Sequence, residues 1–133
     1  MLEAYQEDDP EWKYYREFLF PTPTQWLWIN NRDLVRTFEQ KGDPLSVPRP
    51  VEHLAYFSDQ VARDRFAREA TEQGFMIRLL EPETEAAPLG AQATRDDAID
   101  LNSIHLVSRS VQSLAERLGG EYDGWGAPLI TKA

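Results

Sequence analysis

Between Leu101 and Leu118 six aliphatic side chains, Leu101, Ile104, Val107, Val111, Leu114 and Leu118, recur at spacings of 3, 3, 4, 3 and 4. That is the period of one helix face and not the alternation of a strand. Ile99 to Val107, which by composition also suits a strand, is therefore assigned to a helix from about Leu101 to Leu118, capped by Asp100. Burying each of those side chains is worth roughly 1.5–3 kcal/mol before chain entropy is subtracted, so the helix must lie against a second layer. Gly119-Gly120 stops it. Glu121 to Ile130 follows as a last strand, and Pro128 places that strand at a sheet edge.

The elements before this helix complete a regular order from Val51 onward. VEHLAYF sets Val51, His53, Ala55 and Phe57 against Glu52, Leu54 and Tyr56. Apolar residues on both sides predict a strand at the centre of a sheet. Ser58 or Asp59 caps a helix to about Gln73 with Ala62, Phe66 and Ala70 on its buried face. Its outer face offers the i, i+4 pairs Asp64–Arg68, Arg65–Glu69 and Arg68–Glu72. Gly74 ends it, and Phe75 to Leu80 reads as a second strand with Phe75, Ile77 and Leu79 on one face. Glu81 to Ala87 is a hairpin connection, and Leu89 to Arg95 a third strand.

Residues 51–130 thus run β-α-β-β-α-β. With right-handed crossovers this gives an α+β, ferredoxin-like fold: a four-stranded antiparallel sheet with two helices on one face. Two units are expected: an N-terminal helical and aromatic extension, 1–50, packed on a main domain, 51–133. In the extension, Asp9-Pro10 starts a short helix with Trp12, Tyr15 and Leu19 on one face, and Pro21 and Pro23 end it. Gln25 to Ile29 fits either a strand or an aromatic plug. Asn31 is read as the cap of a helix from Arg32 to Lys41 with Leu34, Val35 and Phe38 inward and Gly42 as its stop. Asp43 to Pro50, with three prolines, is read as an extended linker.

Composition narrows the chemistry. There is no cysteine, so disulfides, thiolate metal sites and cysteine nucleophiles are excluded and a reducing compartment fits. The start, MLEAYQEDDPEW, lacks the pattern of a secretory signal, and no apolar run is long enough to span a bilayer. A cytoplasmic location is expected, with no membrane contact. The formal charge of −9, from 14 basic and 23 acidic residues, disfavours direct nucleic-acid binding and steers toward basic partners.

Catalytic patterns are weak. His53 and His105 are the two histidines, with no metal-binding spacing between them, and each reads as structural. GGEYDG lies between a helix and a strand and has no lysine, so it is no phosphate loop. No GxSxG elbow is present. Asp96-Asp97 and Glu83/Glu85 read as solvated loop carboxylates. No catalytic residue, cofactor or metal is expected. Four tryptophans and five tyrosines are many for 133 residues. Trp12, Trp26, Trp28 and Trp125 either seal the N-terminal helices onto the sheet or form a contact surface.

The most distinctive string is EYDGWG, Glu121 to Gly126. Asp123-Gly124 allows a tight kink, and Gly124 and Gly126 leave the Trp125 indole without bulky neighbours in sequence. LAERL followed two residues later by EYDGWG resembles the regulator of ribonuclease activity B family. EQKGDPLSVPRPVEHLAYFS resembles the same family's lead-in of helix, Gly-Asp linker and His-containing first strand. The likeness covers about residues 31–130. It implies a ferredoxin-like, non-catalytic protein that binds the scaffold region of the endoribonuclease RNase E and reduces RNA cleavage by contact alone. The resemblance implies an acidic C-terminal extension, which is not expected from the seven residues that follow Gly126, and the aromatic segment Trp12 to Trp28 reads as an addition. Glu121, Tyr122, Asp123 and Trp125, with His53, are the residues expected to serve partner binding. Two other readings stay open: a ligand-binding module or orphan enzyme with a pocket between sheet and N-terminal helices, and a homodimer through the open sheet face or the edge strand.

Overall fold

The structure, a computed structural model, describes residues 22–131 apart from 83, 85 and 86. The elements are α1 (Pro23–Gln40), β1 (Arg49–Phe57), α2 (Gln60–Glu72), β2 (Met76–Leu80), β3 (Leu89–Asp97), α3 (Leu101–Arg117) and β4 (Glu121–Gly126). The sheet order is β2-β3-β1-β4 with every neighbouring pair antiparallel, which is the ferredoxin-like arrangement. β1 is central, as the alternation of VEHLAYF predicts, and β4 lies at an edge; it ends at Gly126, short of the expected Ile130, so Pro128 lies beyond the strand. The helix of period 3.6 is present, and the Asp100 carboxylate accepts from the Ser103 amide at 3.2 Å as its cap. Asp59 caps α2 in the same way through Ala62 at 2.8 Å. Of the three ion pairs expected on the outer face of α2, Arg65–Glu69 forms at 3.3 Å, and Glu69 also takes Arg117 of α3 at 3.1 Å.

The core lies between one sheet face and α2 and α3. Val51, His53, Ala55 and Phe57 of β1 point into it and are buried, while Glu52, Leu54 and Tyr56 face the other side. Small residues in the sheet, Ala55, Ala91 and Ala93, let the helices sit close. Phe57, Phe66 and Phe75 fill the space left, with the Phe57 and Phe66 rings 5.1 Å apart. Gly120 is held to hydrogen by this packing: a Cβ there would meet the Phe57 ring at 2.3 Å and the Tyr56 carbonyl oxygen at 2.8 Å. The opposite sheet face carries no layer among the described residues, and Met76 is 78% exposed on it.

The N-terminal reading is corrected within the described residues. The expected helix from Asp9 lies outside the described residues. Pro23 begins a helix: α1 starts nine residues before Arg32, and Gln25 to Ile29 is helical, neither strand nor plug. Thr22 is the cap. Its hydroxyl oxygen accepts from the Gln25 amide at 3.2 Å, and the Gln25 side chain accepts from the Thr22 amide at 2.8 Å. This reciprocal box, with proline at the first helical position, outweighs the helix-breaking reading of the prolines. Asn31 is therefore no cap. It sits in the middle of α1, 1% exposed.

The Asp43–Pro50 segment is not a plain linker. Asp43 is buried and accepts from Arg49 Nη2 at 2.9 Å, from the Leu45 amide at 2.8 Å and from the Ile130 amide at 2.9 Å. Arg49 in turn donates to the carbonyls of Val47 and Pro128. The clasp joins the entry to β1 to the segment that leaves β4, and it holds Leu45 at φ +66, an unusual conformation for leucine. The Arg49 guanidinium keeps the Asp43 carboxyl well below the usual carboxylate range, against the opposing effect of burial. Beside the clasp, Val35 of α1 packs with Val51, Ile99 and Ile104 and tethers α1 to the end of the sheet.

Removing one member of a closed ion pair strands the other in the interior. Asp43→Ala is expected to lower the unfolding free energy by about 3 kcal/mol or more, read from urea denaturation. The pair of changes Asp43→Leu and Arg49→Met is expected to recover most of that loss. A single-variant effect below about 0.5 kcal/mol would show that the clasp contributes nothing.

Candidate partner-binding groove

α1 is fastened at one point by a fully used amide. Asn31 Nδ2 donates to Ser108 Oγ at 2.8 Å and to His105 Nδ1 at 3.1 Å, and Asn31 Oδ1 accepts from Trp125 Nε1 at 2.8 Å. Ser108 Oγ in turn donates to the Ile104 carbonyl at 2.7 Å. For Asn31 to donate to Nδ1, the His105 ring must be neutral with its proton on Nε2. Burial first, and then the nearby Arg109, lower the His105 pKa, in keeping with that neutral state. The Trp28 ring closes over His105 edge-on at 4.8 Å.

Trp125 belongs to this network and to the sheet. It pairs with His53 across β1 and β4, so both side chains face the helices. Its indole stacks on Phe38 of α1 at 6.1 Å with a 17° interplanar angle. The packing does not itself demand the flanking glycines, since neither Gly124 nor Gly126 has an atom within 4 Å of where a Cβ would stand. The kink expected at Asp123-Gly124 is a bulge. Leu54 pairs with Gly124 and Ala55 with Tyr122, which leaves Asp123 as the extra residue, and Gly124 takes φ +118.

His53 has no exposed surface. Its Nδ1 shares a hydrogen bond with the Tyr122 hydroxyl at 2.8 Å, its ring meets Phe75 edge-on at 5.8 Å, and its Nε2 has no partner among the described residues. Burial pushes the His53 pKa from 6.5 down to about 4 and raises that of Tyr122, so both rings are neutral near pH 7. His53 therefore bears on the surface only through the Tyr122 ring that it holds.

The surface so built is a groove of about 530 Å³ between α1, α3 and β4. Trp26, Asn30 and Leu34 form the α1 wall, Gln112 and Glu116 come from α3, and the run Glu121 to Trp125 forms the far wall. Four of the five expected partner residues, Glu121, Tyr122, Asp123 and Trp125, are thus brought together, and His53 lies beneath them. The readings from sequence missed Asn31, Gln112 and Glu116. A second hollow of about 320 Å³ lies by the other face of the sheet, bounded by Leu54, Leu80, Gln92 and the β4 glycines. Among the described residues no group of three or more His, Asp or Glu side chains is placed to hold a metal ion, and no helix is long and apolar enough to cross a membrane.

Two measurements test this construction. Trp125→Phe keeps the stacking ring but strands the Asn31 oxygen, and is expected to cost about 1–3 kcal/mol in urea unfolding; an unchanged midpoint would contradict the hub. The second concerns pH. Burial disfavours the charged His53 ring, so the unfolded chain binds that proton more readily than the folded one. Its contribution to stability is complete above pH 6.5 and is lost as the pH falls toward about 4. Between about pH 7 and about pH 5 the expected loss is about 2 kcal/mol, with His105 acting in the same direction. His53→Phe should remove most of that slope, and a slope retained in the variant would place the titration elsewhere.

The sequence matches the family described as regulator of ribonuclease activity B over residues 28–127. Comparison with curated proteins finds no match. The matched stretch takes in most of α1, all of the sheet, α2 and α3, and the EYDGWG strand with its bulge. The chain belongs to the regulator of ribonuclease activity B family.

Proposed function

We propose that this chain binds an endoribonuclease of the RNase E type in the cytoplasm and lowers its cleavage of RNA by protein–protein contact, with no chemistry of its own. Membership of a family that regulates ribonuclease activity carries the reading. The groove supports it, because its walls hold Glu121, Tyr122, Asp123 and Trp125 on elements fixed by buried hydrogen bonds. A surface fixed in advance loses little freedom on binding. The charge of −9 opposes contact with the RNA backbone and favours encounter with the basic stretches of an RNA-handling enzyme.

The test uses the host's RNase E. The full chain should bind the enzyme's non-catalytic scaffold region at low salt and slow cleavage by the full-length enzyme, while leaving the isolated catalytic domain unaffected. The double change Glu121→Gln and Asp123→Asn should raise the Kd about tenfold and weaken inhibition in parallel. No binding at low salt, or inhibition that survives deletion of the scaffold region, would defeat the proposal.

A further inference from the structure

We infer that the groove between α1, α3 and β4 is an arginine site, which takes the guanidinium of an arginine carried on an extended basic segment of the partner. The inference rests on the partner-binding reading and adds the chemistry of what is bound.

The charge of the groove comes first. Glu116, Glu121 and Asp123 are exposed carboxylates in its lining, and none is in an ion pair among the described residues. No lysine or arginine contributes to the lining. Arg109 and Arg117 border an adjoining hollow on α3 that Gln112 and Glu116 also line, but neither forms an ion pair with Glu116 among the described residues, and Arg117 is engaged by Glu69 at 3.1 Å. An anionic ligand would meet three unneutralised carboxylates, so the occupant is a cation.

A second observation, independent of the carboxylates, specifies the cation. Gln112 is 9% exposed, lines the groove, and makes no side-chain hydrogen bond among the described residues. Its amide atoms are not sealed from solvent, so they open on the groove and are available to a ligand there. Its oxygen requires a donor with direction. A guanidinium presents five N–H groups in a fixed plane, enough to meet the Gln112 oxygen and a carboxylate together, whereas an ammonium is a compact, strongly hydrated point charge.

The α1 wall completes the discrimination. Trp26 is 51% exposed at the groove and offers an indole face. Arginine stacks on such faces while its edge continues to hydrogen-bond. A volume of about 530 Å³ accommodates the side chain together with the backbone that carries it. A metal ion is the poorer occupant, since the described residues hold no cluster of ligating side chains.

The full chain is titrated calorimetrically with a blocked octapeptide of alternating arginine and glycine, and with its lysine and citrulline counterparts. The arginine peptide should bind at least fivefold more tightly than the lysine peptide, and the citrulline peptide should not bind. Glu116→Gln, an exposed and isosteric change, should weaken both cationic peptides by a similar factor. Gln112→Leu and Trp26→Ala should each weaken the arginine peptide about fivefold and bring the arginine-to-lysine ratio toward one. Equal binding of the arginine and lysine peptides by the parent chain, or an arginine affinity unchanged in all three variants, would overturn the inference. The ribonuclease scaffold region serves as a separate arm. If it binds but the arginine peptide neither binds nor competes, the arginine site is wrong and the partner reading stands. If the arginine peptide binds as described and the scaffold region does not, the site stands and the partner reading fails.

Discussion

The geometry of the groove depends on a single buried amide. Asn31 sits in the middle of α1 with both of its N–H groups and its oxygen engaged, by Ser108, His105 and Trp125. Such a group fixes position more strictly than apolar contact does, because any slide of the helix leaves a polar atom unpaired in a region of low dielectric. One turn away Leu27, and on the other side Val35, are buried along the same stripe. Apolar burial holds α1 down, and the amide sets where. With α1 fixed, Trp26 and Asn30 stand opposite Glu121 and Asp123, and the space between them is a groove instead of a flat surface.

The far wall owes its shape to the bulge in β4. A regular strand would alternate through 121–126 and carry every second side chain to the open face of the sheet. The extra residue at Asp123 shifts the pairing, so that Tyr122 and Trp125, three apart, both turn toward the helices. Gly124 supplies the positive φ that the shift requires. Tyr122 then reaches His53 in the core and Trp125 reaches Asn31 of α1, so the two rings of EYDGWG are each tied to a buried polar side chain. The carboxylates of Glu121 and Asp123 stay exposed beside them. One local irregularity thus yields a wall of fixed aromatics and free acids.

The elements from β1 onward were legible because their signals are periodic. The spacing of Leu101 to Leu118, the two-sided apolar pattern of VEHLAYF and the Asp59 and Asp100 caps each depend on a few adjacent residues, and each element stands where it is expected. The kink at Asp123-Gly124 was legible for the same reason. The failures lie at the N-terminal side, where long-range chemistry decides. Thr22-Pro23-Thr24-Gln25 carries a capping box, but the flanking prolines read as stops and hid it. Asn31 reads as a cap because asparagine is common there; only tertiary contacts 74 and 77 residues away reveal a hub. Asp43 and Arg49 lie in a proline-rich stretch that resembles a linker, and their partners at 128 and 130 come from the other end of the chain. Gln112, buried, and Glu116, exposed, lie off the aliphatic stripe from which the helix is read, and a groove between three elements leaves no local pattern.

The most direct measurement of the central claim is amide hydrogen exchange on the full chain, free and bound to the RNase E scaffold region. A groove that receives the partner predicts slowed exchange confined to residues 26–34, 112–116 and 121–125, with α2 and β2 unchanged. Slowed exchange centred instead on Leu54, Tyr56, Met76 and Leu80 would place the partner on the open face of the sheet and contradict the account.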